Sequence, residues 1–308
     1  MTEEAHLHRL LLDRMTSTGS LRTEPWKRAA AAVPRHEFLR GGFFRRAHGS
    51  DFTAWHPVRR AEPGWLEGAL LCARLGEDNV TSVEYDPGVA ARARAALGHL
   101  GLYPTLVTGD GLLGHGEGAP YDRIIATCAV RTVPTQWVEQ TRPGGLILTT
   151  IGGWLGASEL ARLTVHEDGT ASGPLLGGGV NFMLARPHLP PPLGLLPDLG
   201  DGKERESTIG TEVLDDWTSR FVVQLAVPGA QRLSLERDGR TEDVLVDVET
   251  GSWAAVYQDG GRWLVRQGGP QPLWDAVEEQ TGRWSGDGTP SLEKFTVTVT
   301  AEGQTIRW

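Results

Sequence analysis

The amino-acid sequence predicts an α/β domain built on a parallel sheet, followed by a smaller α+β module. Two observations predict the domain: strand-like and helical segments alternate between residues 65 and 151, and helix start and stop signals separate them. A third observation predicts the module. From about residue 207 the chain changes to short strands divided by Gly- and Asp-containing turns.

Length and composition are typical of two folded domains in a reducing compartment. The chain has 308 residues, 39% hydrophobic and 22% charged, and a domain usually holds about 100–200 residues. The net charge of -9 argues against a nucleic-acid binder that works by charge. Only two cysteines occur, and we find neither a signal peptide nor an apolar run of about 20 residues. We therefore expect a cytoplasmic protein without membrane or nucleic-acid partners.

The first 64 residues predict two helices and then an unassigned stretch. One helix contains residues His6–Leu12, whose apolar side chains recur at helical spacing. The other begins at Glu24-Pro25, an acid and a proline that suit a first helical turn, and ends before Pro34. Residues 40–64 show no clean periodicity, so we predict no strand there.

The next segment alternates as a parallel sheet with crossover helices does. In chain order we predict a helix, a strand, a helix, two strands, a helix and a strand, over residues 65–75, 80–84, 86–97, 105–108, 121–127, 134–140 and 146–151. Gly76 closes the first helix, and Asp86 and Gly98 cap and stop the second. Segments 160–166 and 180–184 are predicted to be later strands of this domain.

A proline-rich linker or surface arm is predicted before the C-terminal module. The expected division is a domain over 1–187, a linker over 188–206 and a module over 207–308. In the module we predict strands over 221–226, 231–236, 244–248, 252–257 and 262–267, a helix over 273–284 and a hairpin over 295–308. Its tryptophans form a core or, alternatively, line a groove at a sheet edge that captures an extended peptide.

Two predicted strands end in acids that can bind a nucleoside, because ligands of such sheets lie at the carboxyl ends of the strands. Glu84 can accept hydrogen bonds from both ribose hydroxyls; alternatively, it is a solvent-facing acid before a helix. In Gly109-Asp110-Gly111 the glycines allow a flat base to approach while the carboxylate accepts from its amine. The alternative is an ordinary turn.

The strand after these ends in Thr127-Cys128, small polar residues able to line the floor of a pocket. Cys128 has no activating neighbour in the sequence, so a packing role is favoured over that of a nucleophile. The histidines are scattered and match no metal-binding motif, so we predict neither a catalytic triad nor a metal site.

Five stretches follow one another in a characteristic order: Val33-Pro-Arg-His-Glu-Phe38, Val80-Thr-Ser-Val-Glu-Tyr-Asp-Pro87, Val107-Thr-Gly-Asp-Gly111, Tyr121-Asp-Arg-Ile-Ile-Ala-Thr127 and Arg142-Pro-Gly-Gly-Leu-Ile-Leu148. Together they resemble the class I S-adenosylmethionine-dependent methyltransferases, and most closely the protein-L-isoaspartate O-methyltransferase family, over roughly residues 7–186. Each stretch alone is weak, and the combination is specific.

This resemblance implies a Rossmann-like methyltransferase sheet and S-adenosylmethionine as cofactor. Glu84 matches the ribose-binding acid, and Tyr85 follows it in the cofactor-binding segment. Asp110 and Gly111 match the adenine-binding pair, and Thr127 matches a pocket residue after the next strand. The implied reaction is methylation of an aspartyl or isoaspartyl carboxylate.

The C-terminal part resembles a narrower group, the methyltransferases encoded beside ATP-grasp peptide ligases in graspetide clusters. The resemblance rests on Asp216-Trp-Thr-Ser-Arg-Phe-Val222, Gly251-Ser-Trp-Ala-Ala-Val256, Asp259-Gly-Gly-Arg-Trp-Leu-Val265 and Leu273-Trp-Asp-Ala276. It implies that a ribosomally made precursor peptide is the partner, that the methyl ester collapses to an aspartimide, and that the C-terminal module helps to select the peptide.

The sequence departs from the family before the first shared helix. The family has a first strand and a glycine-rich turn there, whereas this chain reads Val58-Arg-Arg-Ala-Glu-Pro-Gly-Trp-Leu-Glu-Gly68. Compared with the family pattern, a first strand is therefore expected to be lost from the sheet. Two further hypotheses follow: a non-catalytic peptide-binding relative that has lost cofactor binding, or a deletion variant that folds poorly.

Overall fold

A computed structural model describes residues 3–33, 41–46, 55–60, 66–178, 180–237 and 239–308. The chain divides into two compact units, Met1–Gly118 and Ala119–Trp308. No helix in the described ranges is both long and apolar enough to cross a membrane.

The first unit contains short sheets and four helices in its described part: α1 (Glu3–Ser17), α2 (Glu24–Ala32), β1 (Gly41–Arg46), β2 (Trp55–Arg60), α3 (Leu66–Leu75), β3 (Thr81–Glu84), α4 (Pro87–His99) and β4 (Thr105–Thr108). Strands β1 and β2 pair antiparallel, and β3 and β4 pair parallel. A small apolar core contains Val33, Ala69 and Leu97, which bring together the end of α2 with α3 and α4.

The start of α4 agrees with the prediction, whereas its end does not. Asp86 caps α4 by accepting hydrogen bonds from the backbone N–H groups of Gly88 and Val89. Gly98, the predicted stop, lies inside the helix. The turn after α4 instead uses Gly101, which has a φ of 69°, because a glycine adopts this left-handed conformation without a Cβ penalty.

The prediction of no strand over residues 40–64 was wrong, because β1 and β2 form an antiparallel pair there. The sequence does not indicate this pair, because its two strands contain few β-branched residues and one of them contains Pro57. A two-stranded sheet tolerates a proline because each strand has one unpaired edge. Within the described part of this unit, β3 pairs with β4 alone, so β1 and β2 do not replace the expected first strand.

The second unit contains two larger sheets and three helices among its described residues: β5 (Tyr121–Val130), α5 (Thr135–Glu139), β6 (Thr141–Gly152), β7 (Ser158–Val165), β8 (Ala171–Pro174), β9 (Lys203–Glu206), α6 (Trp217–Ala226), β10 (Gln231–Arg237), β11 (Arg240–Asp247), β12 (Ser252–Asp259), β13 (Arg262–Gly268), α7 (Leu273–Gly286), β14 (Thr296–Thr300) and β15 (Gly303–Arg307).

One sheet has six strands in the order β15-β14-β8-β7-β6-β5. Only β5 and β6 pair parallel, and the other ladders are antiparallel. The closing hairpin, expected within the module over 207–308, pairs with β8 through Val297 and Gly173. On its other side Gly173 permits β8 to lie close to β7, since a Cβ there would lie 2.0 Å from the carbonyl oxygen of Arg162 in β7.

The other sheet has five antiparallel strands in the order β10-β11-β12-β13-β9. The core on one face includes Trp274, which is fully buried, together with Leu245 and Val256. The core on the other face contains Trp253, Val244 and also Leu199, which comes from the segment predicted to be a linker. The last four residues of that segment form β9, so the segment differs from the expected surface arm.

Two predicted strands are not strands. Residues 221–226 lie in α6, which begins after Asp216, whose side chain accepts from the N–H groups of Thr218 and Ser219. A short apolar run with β-branched residues is compatible with either a buried strand or a buried helix. The N-cap at Asp216 favours the helix in this case. Of residues 180–184, only Leu184 makes a bridge, with Ala129.

Candidate functional site

The carboxyl ends of β3 and β4 lie side by side. The strands pair in register, with Glu84 opposite Thr108, and the N–H of Gly109 donates to the carbonyl oxygen of Glu84 over 2.9 Å. The structure therefore brings the predicted acid Glu84 and the predicted Gly109-Asp110-Gly111 turn to the same sheet edge, where ligands of parallel sheets bind.

Both carboxylates are oriented by backbone donors and keep one oxygen available. Glu84 Oε1 accepts from the N–H of Asp86 over 2.8 Å, and Asp110 Oδ1 accepts from the N–H of Leu112 over 2.9 Å. The second oxygen of each has no partner among the residues that the structure describes. Both side chains are half-buried. Each therefore presents a fixed, unused acceptor.

Space lies open beside these acids. A Cβ placed on Gly109 or on Gly111 would meet no atom within 4 Å. Neither glycine has a positive φ, so the backbone alone does not require glycine at these positions. Tyr85, the other residue expected at this edge, is 58% exposed. The space next to the backbone of both glycines is therefore open.

Thr127 was expected at a strand end, and the structure corrects this. It lies inside β5, which continues to Val130, and it belongs to the second unit. A register shift surrounds it, because Ile125 faces Leu148 while Ala129 faces Thr150. The irregular pairing in this bulge explains why the sequence predicts a strand that ends at residue 127, whereas β5 continues to Val130. Bulges often re-aim side chains next to functional sites.

The thiol of Cys128 is not activated. Its side chain is half-buried, and burial raises the pKa of this thiol above its ordinary value. The protonated form therefore dominates near neutral pH, and this form is a poor nucleophile. This agrees with the packing role that the sequence favours.

Sequence reasoning missed an arginine at the carboxyl end of β5. The guanidinium carbon of Arg131 lies 3.6 Å from the centroid of the Trp154 ring, and Nη2 donates to the carbonyl oxygen of Pro228 over 2.7 Å. The backbone N–H of Arg131 donates to Nδ1 of His188 over 3.1 Å. His188 also accepts, through its carbonyl oxygen, from Nε1 of Trp154 over 2.9 Å. The signal in the sequence was weak, because Arg131 stands four residues after the end of the strand predicted over 121–127.

Burial lowers the pKa of the Arg131 guanidinium, and the nearby charges of Glu249 and Asp247 oppose this effect. An arginine still keeps its charge near neutral pH, since its ordinary pKa lies far above 7. Arg131 is therefore a partly desolvated cation at the end of a parallel strand.

Gly153, the residue before Trp154, lies so close to Gln224 that we expect it not to tolerate a side chain. A Cβ on Gly153 would lie 2.3 Å from Cδ of Gln224, which is 6% exposed. We expect Gly153→Ala to lower the free energy of unfolding by about 1–3 kcal/mol, because overpacking forces neighbours to move. Urea unfolding followed by circular dichroism measures this.

The matched control is Gly282→Ala in α7, where a Cβ would meet nothing within 4 Å. This variant should stabilise the protein by about 0.5–1 kcal/mol, since alanine restricts the unfolded chain and favours helix. Equal stability of the two variants would contradict the packing around Gly153.

Comparisons with known proteins agree with this architecture. The model of the protein-L-isoaspartate(D-aspartate) O-methyltransferase family matches residues 65–175. A protein-L-isoaspartate O-methyltransferase of Methanopyrus kandleri is 31% identical over 170 residues, covering 46% of this chain and 75% of the relative. One of Anaeromyxobacter dehalogenans is 50% identical over 86 residues, covering 27% of this chain and 40% of the relative. This chain thus spans less than half of the length of that second relative.

A solved structure of a protein-L-isoaspartate O-methyltransferase has the same fold. Its TM-score is 0.52 at 19% identity, and the match covers 97% of this chain and 99% of that one. The predicted class, a mixed α/β methyltransferase fold, is confirmed. The family uses S-adenosylmethionine as its cofactor. The chain belongs to the protein-L-isoaspartate O-methyltransferase family.

Proposed function

We propose that the protein transfers a methyl group from S-adenosylmethionine to an aspartyl or isoaspartyl carboxylate of a peptide. The observation that carries this proposal is the pair of oriented acids, Glu84 and Asp110, at the ends of two paired parallel strands. Membership of the methyltransferase family supports the reaction type.

The residues at this edge fit the adenosine part of the cofactor. The available oxygen of Glu84 would accept from a ribose hydroxyl, and that of Asp110 would accept from the exocyclic amine of adenine. The space beside Gly109 and Gly111 suits the flat base. Tyr85 and Thr127 remain proposed cofactor contacts on the basis of the family resemblance.

The bound cofactor supplies an electrophilic methyl group on a sulfonium. The accepting carboxylate needs no general base, because an aspartate with an ordinary pKa of about 3.9 is ionised near pH 7. The protein's own contribution is therefore to orient the acceptor, to hold it close to the methyl group and to exclude water. This explains why the reaction requires neither an activated cysteine nor a catalytic triad.

The proposed acceptor is a ribosomally made precursor peptide, and its methyl ester collapses to an aspartimide. Resemblance of the C-terminal segments to the methyltransferases of graspetide clusters supports this substrate. Residues 207–308 are proposed to contribute to peptide recognition. An isoaspartyl-containing peptide is the simpler acceptor of the same chemical class.

A second candidate is a non-catalytic peptide-binding relative. It is favoured by the segment before α3, where Pro63 and Trp65 stand in place of the family's glycine turn. The matching part of the family model also begins at residue 65. Residues 61–65 lie outside the described part of the chain.

Calorimetric titration with S-adenosylhomocysteine, the demethylated product, tests the proposal. We expect micromolar binding by the wild-type protein and a loss of affinity of about 10- to 100-fold in Asp110→Ala, since a hydrogen bond to a charged group contributes about 1.5–3 kcal/mol. The control is Glu117→Ala, which removes an exposed acid in the same unit and should leave the affinity unchanged.

Two results would count against the proposal in different ways. Failure of the folded wild-type protein to bind the product would leave the non-catalytic candidate as the better account. Normal binding by Asp110→Ala would reject the assigned adenine site while leaving cofactor binding intact. Circular dichroism of each variant separates these results from poor folding, which is the outcome that a damaging deletion predicts.

A further inference from the structure

Arg131 and Trp154 follow the two parallel strands of the six-stranded sheet. Arg131 comes directly after β5, which ends at Val130. Trp154 stands two residues after β6, which ends at Gly152. The strand ends are adjacent, since Val130 pairs with Ile151. In α/β sheets this is the edge where ligands bind, yet neither residue belongs to the adenosine-binding edge of the first unit.

The guanidinium of Arg131 is held in one place and is only partly used. Its face packs on Trp154, and Nη2 donates to the carbonyl oxygen of Pro228. A guanidinium has five N–H donors. The donors on Nε and Nη1 have no partner within the described ranges. One pair of N–H donors thus stays available for a bidentate acceptor. Because the side chain is already held by Trp154 and Pro228, little side-chain entropy remains to be lost on binding.

Acids near Arg131 do not neutralise it through contact. Asp247 is 8% exposed, and its Oδ1 accepts from the N–H groups of Glu249 and Thr250 over 3.0 and 3.2 Å. Neither Asp247 nor Glu249 lies within ion-pair distance of Arg131. By contrast, the exposed Arg142 pairs with Asp122 over 2.6 Å. Arg131 is a preorganised cation that lacks a carboxylate partner among the described side chains.

We propose that Arg131, supported by Trp154 and His188, binds the carboxylate of the peptide that is to be methylated. This inference rests on the proposed function and names the residue that selects the charged acceptor. A guanidinium fork matches the two oxygens of a carboxylate, and the indole face beneath it keeps the fork oriented. Arg131 is a specificity-determining residue under this proposal.

Holding the acceptor in this way also promotes release of the ester. One carboxylate oxygen forms the new bond to the methyl carbon as the carbon–sulfur bond breaks, and the electron pair stays on sulfur. No proton moves, and the acceptor changes from an anion to a neutral ester. The ester no longer attracts the guanidinium as the carboxylate does, so the site favours substrate over product.

Matched peptides test the proposal without the methyl donor. The probes are acetylated, C-terminally amidated hexapeptides with one central aspartyl or isoaspartyl residue, and counterparts in which that carboxyl is a carboxamide. We expect the wild-type protein to bind the better carboxylate peptide about 10- to 100-fold more tightly than its carboxamide counterpart. In Arg131→Gln this ratio should fall to about one, whereas Arg142→Gln should retain it.

Glu249→Gln should change the ratio of carboxylate to carboxamide affinity in the opposite direction to Arg131→Gln. It removes an exposed negative charge that acts on Arg131, so it should raise the preference for the carboxylate peptide. The proposal is overturned if wild-type protein binds both peptides equally, if it binds neither at millimolar concentration, or if Arg131→Gln keeps the preference. Titration of the same proteins with S-adenosylhomocysteine reports on the cofactor separately, so failure of one proposal is distinguishable from failure of the other.

Discussion

Replacing Arg266 with methionine is expected to lower the free energy of unfolding by about 3–5 kcal/mol. The Arg266 side chain is 11% exposed and bonds to Glu242, which is completely buried, with an Nη2–Oε2 distance of 3.1 Å. Arg240, also bonded to Glu242 over 3.0 Å, compensates only in part. Loss of Arg266 leaves a buried carboxylate short of a partner, which is far more costly than loss of an exposed pair.

Urea unfolding of the variant, followed by circular dichroism, measures this effect. The control is Arg262→Met on the same strand, where the partner Glu206 lies 3.8 Å away and both side chains are more than 60% exposed. That change should cost less than about 1 kcal/mol. Adding Glu242→Gln to Arg266→Met should recover part of the loss, because the uncompensated charge is then absent. Similar losses in Arg266→Met and Arg262→Met would refute the buried-charge account.

Replacing Trp274 with alanine is expected to cost about 3–5 kcal/mol, as is usual when a fully buried aromatic side chain is removed. Trp274 has no exposed surface and contributes to the core between α7 and the five-stranded sheet. Its Nε1–H donates to Oγ of Ser207 over 2.7 Å. The variant therefore loses both apolar contacts and a buried hydrogen bond.

A graded series separates the two contributions of Trp274. Trp274→Phe retains much of the apolar volume and should cost less than Trp274→Ala. Trp284→Ala removes a half-buried tryptophan from the same helix and should also cost less. Circular dichroism during urea unfolding is the suitable readout, since tryptophan fluorescence itself changes in the series. If Trp284→Ala were the more damaging change, the position of the core on α7 would be wrong.

Local signals in the sequence predicted the elements that carry the proposed adenosine site. Asp86 and Gly76 delimit α4 and α3 through capping geometry that depends on few neighbouring residues. Glu84 and Asp110 could be expected to meet because parallel strands align their carboxyl ends. Such inferences succeed when one strand–helix–strand unit contains all of the evidence.

Features that depend on distant parts of the chain escaped prediction. Residues 221–226 are β-branched and apolar enough for a strand, and the buried face that α6 presents to α7 becomes visible only in the folded protein. Arg131 meets Pro228 across 97 positions of sequence. No periodicity or spacing rule connects such residues, so this cluster required the tertiary structure.

The pairing of β14 with β8 makes the five-stranded sheet an insertion between two adjacent strands of the six-stranded sheet. Leu175 and Phe295 lie at the two ends of the inserted segment, and the N–H of Leu175 donates to the carbonyl oxygen of Phe295 over 3.0 Å. Closing so long a loop costs configurational entropy that grows with the logarithm of its length. A folded insert holds its own ends together and so removes much of that cost. Strand pairing in one sheet is thereby coupled to the folding of the other.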